Sequence, residues 1–285
     1  MTSERTRIDI AALMAKKQRG AKISMLTAYD CPTARLLDEA GIDSILVGDS
    51  AGNVVLGYKD TIPVTMDEMV MLTKAVVRGV RHAFVIGDMP FMSFNVTPAR
   101  AVLNAGRFIK EGGAQAVKLE GGASVVRTVK AIVKAGIPVC GHLGLTPQTA
   151  NMLGGYRVQG KTAAVAKKIF DDALRLEDAG AMMIVIECVP DRVAAAIAAR
   201  VKVPLIGIGA GPDCDGQVLV INDLLGLSAG FSPKFVKHYA EVGKAIARAA
   251  ASYGAEVGKR RFPAKAHTFE MEDAEFAAFS RLIGR

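Results

Sequence analysis

Short apolar segments alternate with longer segments of helical periodicity along most of the chain. The apolar segments are often β-branched and carry few internal polar residues, which is typical of strands buried on both faces of a parallel sheet. The eight candidate strands are "ISMLTAYD" (23–30), "SILVGD" (44–49), "AFVIGDMP" (83–90), "AVKLEGG" (116–122), "IPVCGHLG" (137–144), "MMIVIECVP" (182–190), "VPLIGIGAG" (203–211) and "QVLVIND" (217–223).

The segments between these candidate strands have the pattern of amphipathic helices. Several end in Ala-Gly or Gly-Gly just before the next strand, as expected of a glycine that ends a helix. Thr97 before Pro98, and Pro190 before Asp191, mark helix starts. Alternation of strand and helix about eight times predicts a (β/α)8 TIM barrel, with a doubly wound open sheet as the alternative.

Two parts of the chain depart from the regular alternation. The segment "RIDIAALMAKKQRG" predicts an extra helix that could close the N-terminal end of the barrel, and "PDCDGQ" is too short for a helix between the last two strands. No linker or shift of composition divides the chain. We therefore expect one barrel domain over residues 1–285, with an N-terminal helix within 1–20 and a C-terminal extension over 255–285.

Composition limits the classes of partner. The net charge of +8 is spread along the chain without aromatic interleaving, so we expect no nucleic-acid partner and consider anionic small substrates an equally good reason for the charge. The four cysteines are widely spaced, which indicates reduced thiols and a cytoplasmic protein. No apolar run is long enough for a membrane span, so no membrane partner is expected.

Polar residues follow the apolar body of each candidate strand. The C-terminal ends of parallel barrel strands lie on one face, where such barrels build their active sites, so these side chains are predicted to converge. Asp30 and Asp223 are more simply interpreted as helix N-caps. Asp49 and Asp88 differ, because each follows an apolar run ending in glycine and no helical pattern comes directly after it.

The carboxylates of Asp49, Asp88 and Glu120 would form an oxygen-rich site of the kind that Mg²⁺ accepts. Ion pairing with Lys118 is the alternative, and the residues alone leave both open. Lys118 and Glu120 alternate with apolar neighbours, so both point to one side of their strand, and we expect that side to be the barrel interior. A buried ion pair and a cation for an anionic substrate both fit Lys118.

Two further residues are candidates for chemistry. His142 in "CGHLG" could be an ordinary buried histidine. Glu187 ends the apolar run "MMIVI", and a carboxylate in apolar surroundings holds a proton more readily, which suits a general base. The "GIGAG" segment at 207–211 lacks the spacing of a dinucleotide loop, so no nicotinamide cofactor is expected.

Several of these segments together resemble one family. The motifs are "GDSAGNVVLGY", "DMPFMSF", "VKLEGG", "PVCGHLGLTPQ", "GGYRVQGKT", "ECVP", "IGIGAGPDCDGQVLV" and "FPAKAHTF". In order and approximate spacing they are similar to those of the 3-methyl-2-oxobutanoate (ketopantoate) hydroxymethyltransferase family, from about residue 20 to 270. The resemblance implies a barrel of the phosphoenolpyruvate/pyruvate type and a homodecamer.

The resemblance also implies an activity. A one-carbon unit passes from 5,10-methylenetetrahydrofolate to 3-methyl-2-oxobutanoate through a Mg²⁺-stabilised enolate, which gives 2-dehydropantoate for pantothenate synthesis. A Mg²⁺-dependent oxoacid lyase or mutase on the same barrel is the alternative.

The resemblance assigns roles to the residues that match the family's motifs. It implies that Asp49 and Asp88 bind Mg²⁺ and contact the oxoacid, and that Glu120 contacts the metal directly or through water. Ser50 and Lys118 would bind the oxoacid, Glu187 would accept a proton, and His142 would hydrogen-bond Glu187 or the product hydroxyl. The loop 146–162 is expected to close over the site.

Overall fold

The computed structural model describes residues 6–228 and 233–285, and its eight strands form a closed parallel barrel. The strands are β1 Ile23–Thr27, β2 Ser44–Val47, β3 Phe84–Asp88, β4 Ala116–Glu120, β5 Val139–Gly144, β6 Met183–Glu187, β7 Leu205–Ile208 and β8 Gly216–Leu219. Each strand pairs with the next in chain order, and β8 pairs with β1. The predicted barrel is confirmed. The open-sheet alternative is wrong, because β1 and β8 pair with each other and the sheet has no edge strand.

Helices follow most strands and surround the barrel. They are α1 Ile10–Gln18, α2 Cys31–Glu39, α3 Ala51–Val54, α4 Met66–Gly79, α5 Pro98–Lys110, α6 Val126–Lys134, α7 Ala163–Asp178, α8 Asp191–Arg200, α9 Ile221–Leu224, α10 Val242–Gly258 and α11 Asp273–Leu282. Short 3₁₀ helices span Ala123–Val125, Pro147–Thr149 and Lys265–His267. The predicted starts of α5 and α8 are confirmed, and residues 209–215 contain no helix, as expected.

The helix caps confirm one prediction and correct two. Asp30 caps α2, because its carboxylate accepts the backbone N–H of Thr33 at 2.8 Å. The N-cap prediction for Asp223 is wrong, since this residue lies inside α9. At the start of α9, the backbone N–H of Ile221 donates instead to the Thr27 hydroxyl at 3.0 Å, because barrel closure brings β1 beside this helix. A one-turn helix, α3, begins at Ala51, two residues after Asp49, where the sequence pattern had indicated no helix.

Two apolar layers fill the fold. One lies between the sheet and the helices, and the other fills the barrel interior. Leu13 of α1 joins the interior layer, so this helix closes the N-terminal end of the barrel as predicted. Salt bridges from Lys16 to Asp43 and from Lys17 to Asp215, at 2.6 and 2.5 Å, fasten α1 to residues that precede strands. Residues 1–5 of the predicted N-terminal segment lie outside the described residues.

The C-terminal helices lie largely on the outside. Neither α10 nor α11 contains a buried residue, and α11 exposes Phe276 and Phe279. A groove of about 630 Å³ lies beside β1 and β8, lined in part by Phe235 and Tyr239. Within the ranges that the structure describes, we find no helix with the length and apolar character needed to cross a membrane.

Replacing Leu13 by alanine tests the closure of the barrel end. Leu13 is 1% exposed, so we expect Leu13→Ala to lower the free energy of unfolding by about 2–5 kcal/mol in urea titrations. Leu36 is 66% exposed on α2, and Leu36→Ala should change this free energy by less than about 0.5 kcal/mol. Similar losses in the two variants would contradict the role of Leu13.

Candidate active site

The strand register gathers the predicted residues at the C-terminal end of the barrel. Asp88 of β3 lies beside Lys118 of β4, and Glu120 of β4 lies beside His142 of β5. Glu187 ends β6, the next strand along. The predicted convergence of these side chains is therefore observed. Its cause is the parallel barrel, which brings residues from distant parts of the chain to one face.

Lys118 points into the barrel mouth. Its neighbours Val117 and Leu119 pack in the layer beneath the helices, so the alternation along β4 directs Lys118 and Glu120 inward, as predicted. The Lys118 ammonium lies 2.9 Å from Asp88 Oδ1 and 4.0 Å from Glu120 Oε1. All three of these charged side chains are buried, so each charge depends on the others for compensation.

The electrostatics of this cluster keep Lys118 charged. Burial lowers the pKa of Lys118, but the neighbouring carboxylates, Asp88 first among them, raise it further than burial lowers it. Burial raises the pKa of Asp88, and the Lys118 ammonium opposes that rise. The ammonium is thus a firmly held positive charge among carboxylates.

His142 connects the Lys118 cluster to Glu187. Its Nδ1 lies 3.2 Å from Lys118 Nζ and 3.5 Å from Glu120 Oε1, and its Nε2 lies 3.2 Å from Glu187 Oε2. Burial and the Lys118 charge lower the pKa of His142, but contacts with Glu120 and Glu187 raise it more, to about 9. His142 therefore holds a proton more firmly than a histidine in water and faces Glu187 with it.

Asp49 and Ser50 complete the site from the end of β2. The backbone N–H of Asp49 donates to Asp88 Oδ2 at 3.0 Å, which ties the ends of β2 and β3 together. Asp49 Oδ2 accepts a hydrogen bond from Gln148 Nε2 at 2.8 Å. The Ser50 hydroxyl lies 2.8 Å from the buried Tyr29 hydroxyl, which fixes its position at the mouth.

The balance of charge in the mouth fits a divalent cation. Among the residues that the structure describes, the carboxylates of Asp49, Asp88, Glu120 and Glu187 lie together with two basic side chains, Lys118 and His142. Several buried oxygens lack a hydrogen-bond partner, among them Glu120 Oε1, and oxygen donors are what Mg²⁺ prefers.

In the conformation described, the side chains of the cluster do not form a complete metal-binding site. No group of three His, Cys, Asp or Glu side chains within 6–228 and 233–285 is arranged to enclose a metal ion. The Lys118 ammonium lies against Asp88, as the ion-pair alternative predicted. The metal ligands Asp49, Asp88 and Glu120 remain a prediction.

The loop 146–162 lies over this mouth. It begins with the 3₁₀ helix Pro147–Thr149 and ends at Thr162, which caps α7. Partial burial, followed by the charges of Asp60, Asp49, Glu187 and Glu120, raises the pKa of the Tyr156 phenol, which places this residue near the site. The backbone N–H of Gln159 donates to the Cys188 carbonyl at 2.8 Å, next to Glu187.

Sequence reasoning missed three residues that shape the site. Gln148 is buried and contacts two of the carboxylates, although it lies in a loop. Tyr29 follows β1, and its contact with Ser50 joins the end of β1 to the end of β2. Gly144 has φ +88°, and a Cβ there would overlap the carbonyl oxygen of Glu187. The motif "GHLGLTPQ" contains both Gly144 and Gln148, but the sequence alone does not indicate which residues they contact.

Solved structures show the same fold. Phosphonopyruvate hydrolase, determined in complex with oxalate and Mg²⁺, matches with a TM-score of 0.60 and 14% identity over 96% of each chain. A 2,3-dimethylmalate lyase of the PEP mutase/isocitrate lyase superfamily matches with a TM-score of 0.54 and 15% identity, over 96% of this chain and 95% of that one. The fold and the mouth described above define a (β/α)8 barrel with a polar site at the C-terminal ends of its strands.

Sequence comparison identifies the family within that class. The family profile described as ketopantoate hydroxymethyltransferase matches residues 7–265. The 3-methyl-2-oxobutanoate hydroxymethyltransferase of Acetivibrio thermocellus is 57% identical over 263 residues, covering 92% of this chain and 93% of that protein. The enzyme of the same name from Moorella thermoacetica is 57% identical over 268 residues, covering 94% and 100%. The chain belongs to the ketopantoate hydroxymethyltransferase family.

A substitution at Gly144 tests how closely β5 approaches Glu187. Gly144→Ala combines a left-handed backbone, unfavourable by about 1–2 kcal/mol for other residues, with overlap on the Glu187 carbonyl. Gly155 has φ +100° and open space around it, so Gly155→Ala carries the backbone strain alone. In urea titrations we expect a greater loss of unfolding free energy for Gly144→Ala, by at least about 1 kcal/mol. Equal losses would argue against the close approach.

Proposed function

We propose that the protein transfers a hydroxymethyl group from 5,10-methylenetetrahydrofolate to 3-methyl-2-oxobutanoate, forming 2-dehydropantoate for pantothenate synthesis. The observation that carries this proposal is the family match over residues 7–265, together with the clustering of the residues that the match implies. In the balanced reaction one water is consumed, a C–C bond forms at C3 of the oxoacid, and tetrahydrofolate leaves.

Glu187 is the proposed proton acceptor. C3 of the oxoacid carries a proton that is acidic only because its removal gives an enolate, so a base must lie beside that carbon. Glu187 is partly exposed at the mouth, whereas Asp88 and Glu120 are buried. His142 Nε2 lies 3.2 Å from Glu187 Oε2, a contact that holds this carboxylate in place at the mouth. After proton transfer to Glu187, C3 attacks the methylene carbon supplied by the folate.

Lys118 and Ser50 are the proposed groups that hold the oxoacid. The Lys118 ammonium offsets the charge of the substrate carboxylate, and the Ser50 hydroxyl, fixed by Tyr29, donates a hydrogen bond that orients it. Lys118 reaches from β4 and Ser50 from the end of β2, so they approach a substrate in the mouth from two sides. This arrangement supports binding of a small anion between them.

Asp49, Asp88 and Glu120 are the proposed residues for Mg²⁺. The cluster has surplus negative charge and unpaired buried oxygens, which support this proposal. When bound, the metal acts as a Lewis acid that stabilises negative charge on the 2-oxo group. Asp49, Asp88 and Glu120 would hold the metal, and Lys118, 2.9 Å from Asp88, would supply the positive charge for the carboxylate of the oxoacid.

Deuterium exchange at C3 of 3-methyl-2-oxobutanoate, followed by NMR, tests the base and the metal before any folate is added. We expect exchange in the wild type with Mg²⁺, little after chelation, and a rate about 10²–10⁴-fold lower in Glu187→Gln. The same substitution at Glu39, an exposed residue of α2, is the matched control and should leave the rate unchanged.

Addition of 5,10-methylenetetrahydrofolate extends the same experiment to the complete reaction. The wild type should then form 2-dehydropantoate. Exchange without product would favour the lyase or mutase alternative, which needs no folate. Product formed at the wild-type rate by Glu187→Gln would refute only the choice of base.

We also propose that the protein works in the cytoplasm as a homo-oligomer, the decamer implied by the family. The four free cysteines support the location. The exposed aromatic side chains of α11 and the apolar groove beside β1 and β8 support assembly, because such surfaces usually mark contacts between proteins. The C-terminal extension that the sequence predicts over 255–285 contains α11, which would form part of this contact.

Sedimentation measures the proposed assembly directly. The wild type should sediment at about ten times its 30.0 kDa subunit mass. Replacing Phe276 and Phe279, both exposed on α11, by glutamate should reduce the sedimenting mass. The same change at Leu103, exposed on α5, serves as a control for added surface charge. A monomeric wild type would refute the oligomer.

A further inference from the structure

Gln148 holds two of the proposed metal ligands at once. It lies in the 3₁₀ helix Pro147–Thr149, where the loop over the mouth begins, and its side chain is 3% exposed. Its backbone N–H donates to Glu120 Oε2 at 3.1 Å. Its side-chain Nε2 donates to Asp49 Oδ2 at 2.8 Å and to the carbonyl of Met89 at 2.9 Å.

These partners determine which way the amide faces. A carboxylate and a carbonyl are both acceptors, so the NH₂ group of Gln148 must be the end that faces them. The amide oxygen, Oε1, is then left buried without a hydrogen-bond partner. A buried unpaired acceptor is unfavourable by about 1–3 kcal/mol, so a donor brought by a bound ligand or its water would stabilise the site.

The two carboxylates are held in the same way. On each, Gln148 engages one oxygen, Oδ2 of Asp49 and Oε2 of Glu120. The oxygens that remain are Oδ1 of Asp49 and Oε1 of Glu120, and the latter has no hydrogen-bond partner. Groups that orient metal ligands in this way typically contribute 10–100-fold to metal affinity.

We propose that Gln148 is a positioning residue that orients Asp49 and Glu120 for a divalent cation and so links the loop over the mouth to the metal site. This inference rests on the proposed function, in which these carboxylates bind Mg²⁺. The described hydrogen bonds of Gln148 go to Glu120, Asp49 and Met89, and not to Glu187, the proposed base. Its contribution is to the geometry of the ligands, so its loss weakens metal binding more than it slows the reaction at saturating metal.

The test is Mn²⁺ binding by the full-length protein, measured as free Mn²⁺ by electron paramagnetic resonance. Gln148→Met keeps the length and unbranched shape of the side chain but removes its hydrogen bonds, and we expect the Kd for Mn²⁺ to rise about 10–100-fold. Gln159→Met is the matched control on the same loop, because the side-chain amide of Gln159 donates to the Arg157 carbonyl and, within the described part of the chain, to no carboxylate. Its Kd should stay within about twofold of the wild type.

A second readout separates positioning from a purely structural role. In the exchange reaction, Gln148→Met should need more Mg²⁺ for half-maximal rate, while the rate at saturating Mg²⁺ recovers most of the wild-type value. A structural role alone would lower the melting temperature and leave the Kd for Mn²⁺ unchanged, and that result would overturn the proposal.

Two outcomes keep this inference separate from the proposed function. If the wild type binds no Mn²⁺, the metal part of the proposed function is refuted and Gln148 loses its assigned role with it. If the wild type binds Mn²⁺ and folded Gln148→Met binds it equally well, only the role of Gln148 is refuted. Should the methionine variant not fold, Gln148→Asn, whose amide is one methylene too short to reach Asp49, decides by the same Kd.

Discussion

The ion pair between Lys118 and Asp88 is the interaction on which the barrel mouth depends. Each partner is almost completely buried, and a buried charge without its counter-charge is strongly destabilising. The Lys118 ammonium also lies 4.0 Å from Glu120 Oε1 and 3.2 Å from His142 Nδ1, so its charge acts on side chains of both neighbouring strands. Removing this ammonium would leave buried carboxylates that repel one another, and His142 would be the basic side chain that remains among the described contacts of the cluster.

The backbone around Glu187 is shaped to bring this residue to the same cluster. Cys188, which follows it, has φ +48°, a left-handed conformation that is unfavourable for a residue with a side chain. Gly144 on the adjoining strand has φ +88° and lies directly against the Glu187 carbonyl. Contacts of Leu145 and Gln159 with the carbonyls of Glu187 and Cys188 hold this bend in place. The strand end is therefore fixed while the carboxylate stays accessible.

Local patterns account for what could be predicted, and long-range contacts account for what could not. Apolar runs separated by helical periods are enough to indicate a barrel, and alternation along β4 is enough to turn Lys118 and Glu120 inward. The cap that Thr27 provides to α9 was missed because it depends on closure between β1 and β8. Gln148 was missed because its loop position has no periodicity from which a side-chain direction follows.

The surplus of carboxylates also bears on the order in which ligands enter. An oxoacid anion approaching the mouth meets Asp49, Asp88, Glu120 and Glu187, with Lys118 already engaged by Asp88. In a site of low effective dielectric, that repulsion is several times stronger than in water. A divalent cation bound as we propose would offset this repulsion, so the electrostatics would favour an anion that binds with the cation or after it. The ion pair that compensates charge at the mouth thus also contains the ammonium that we propose for the substrate carboxylate.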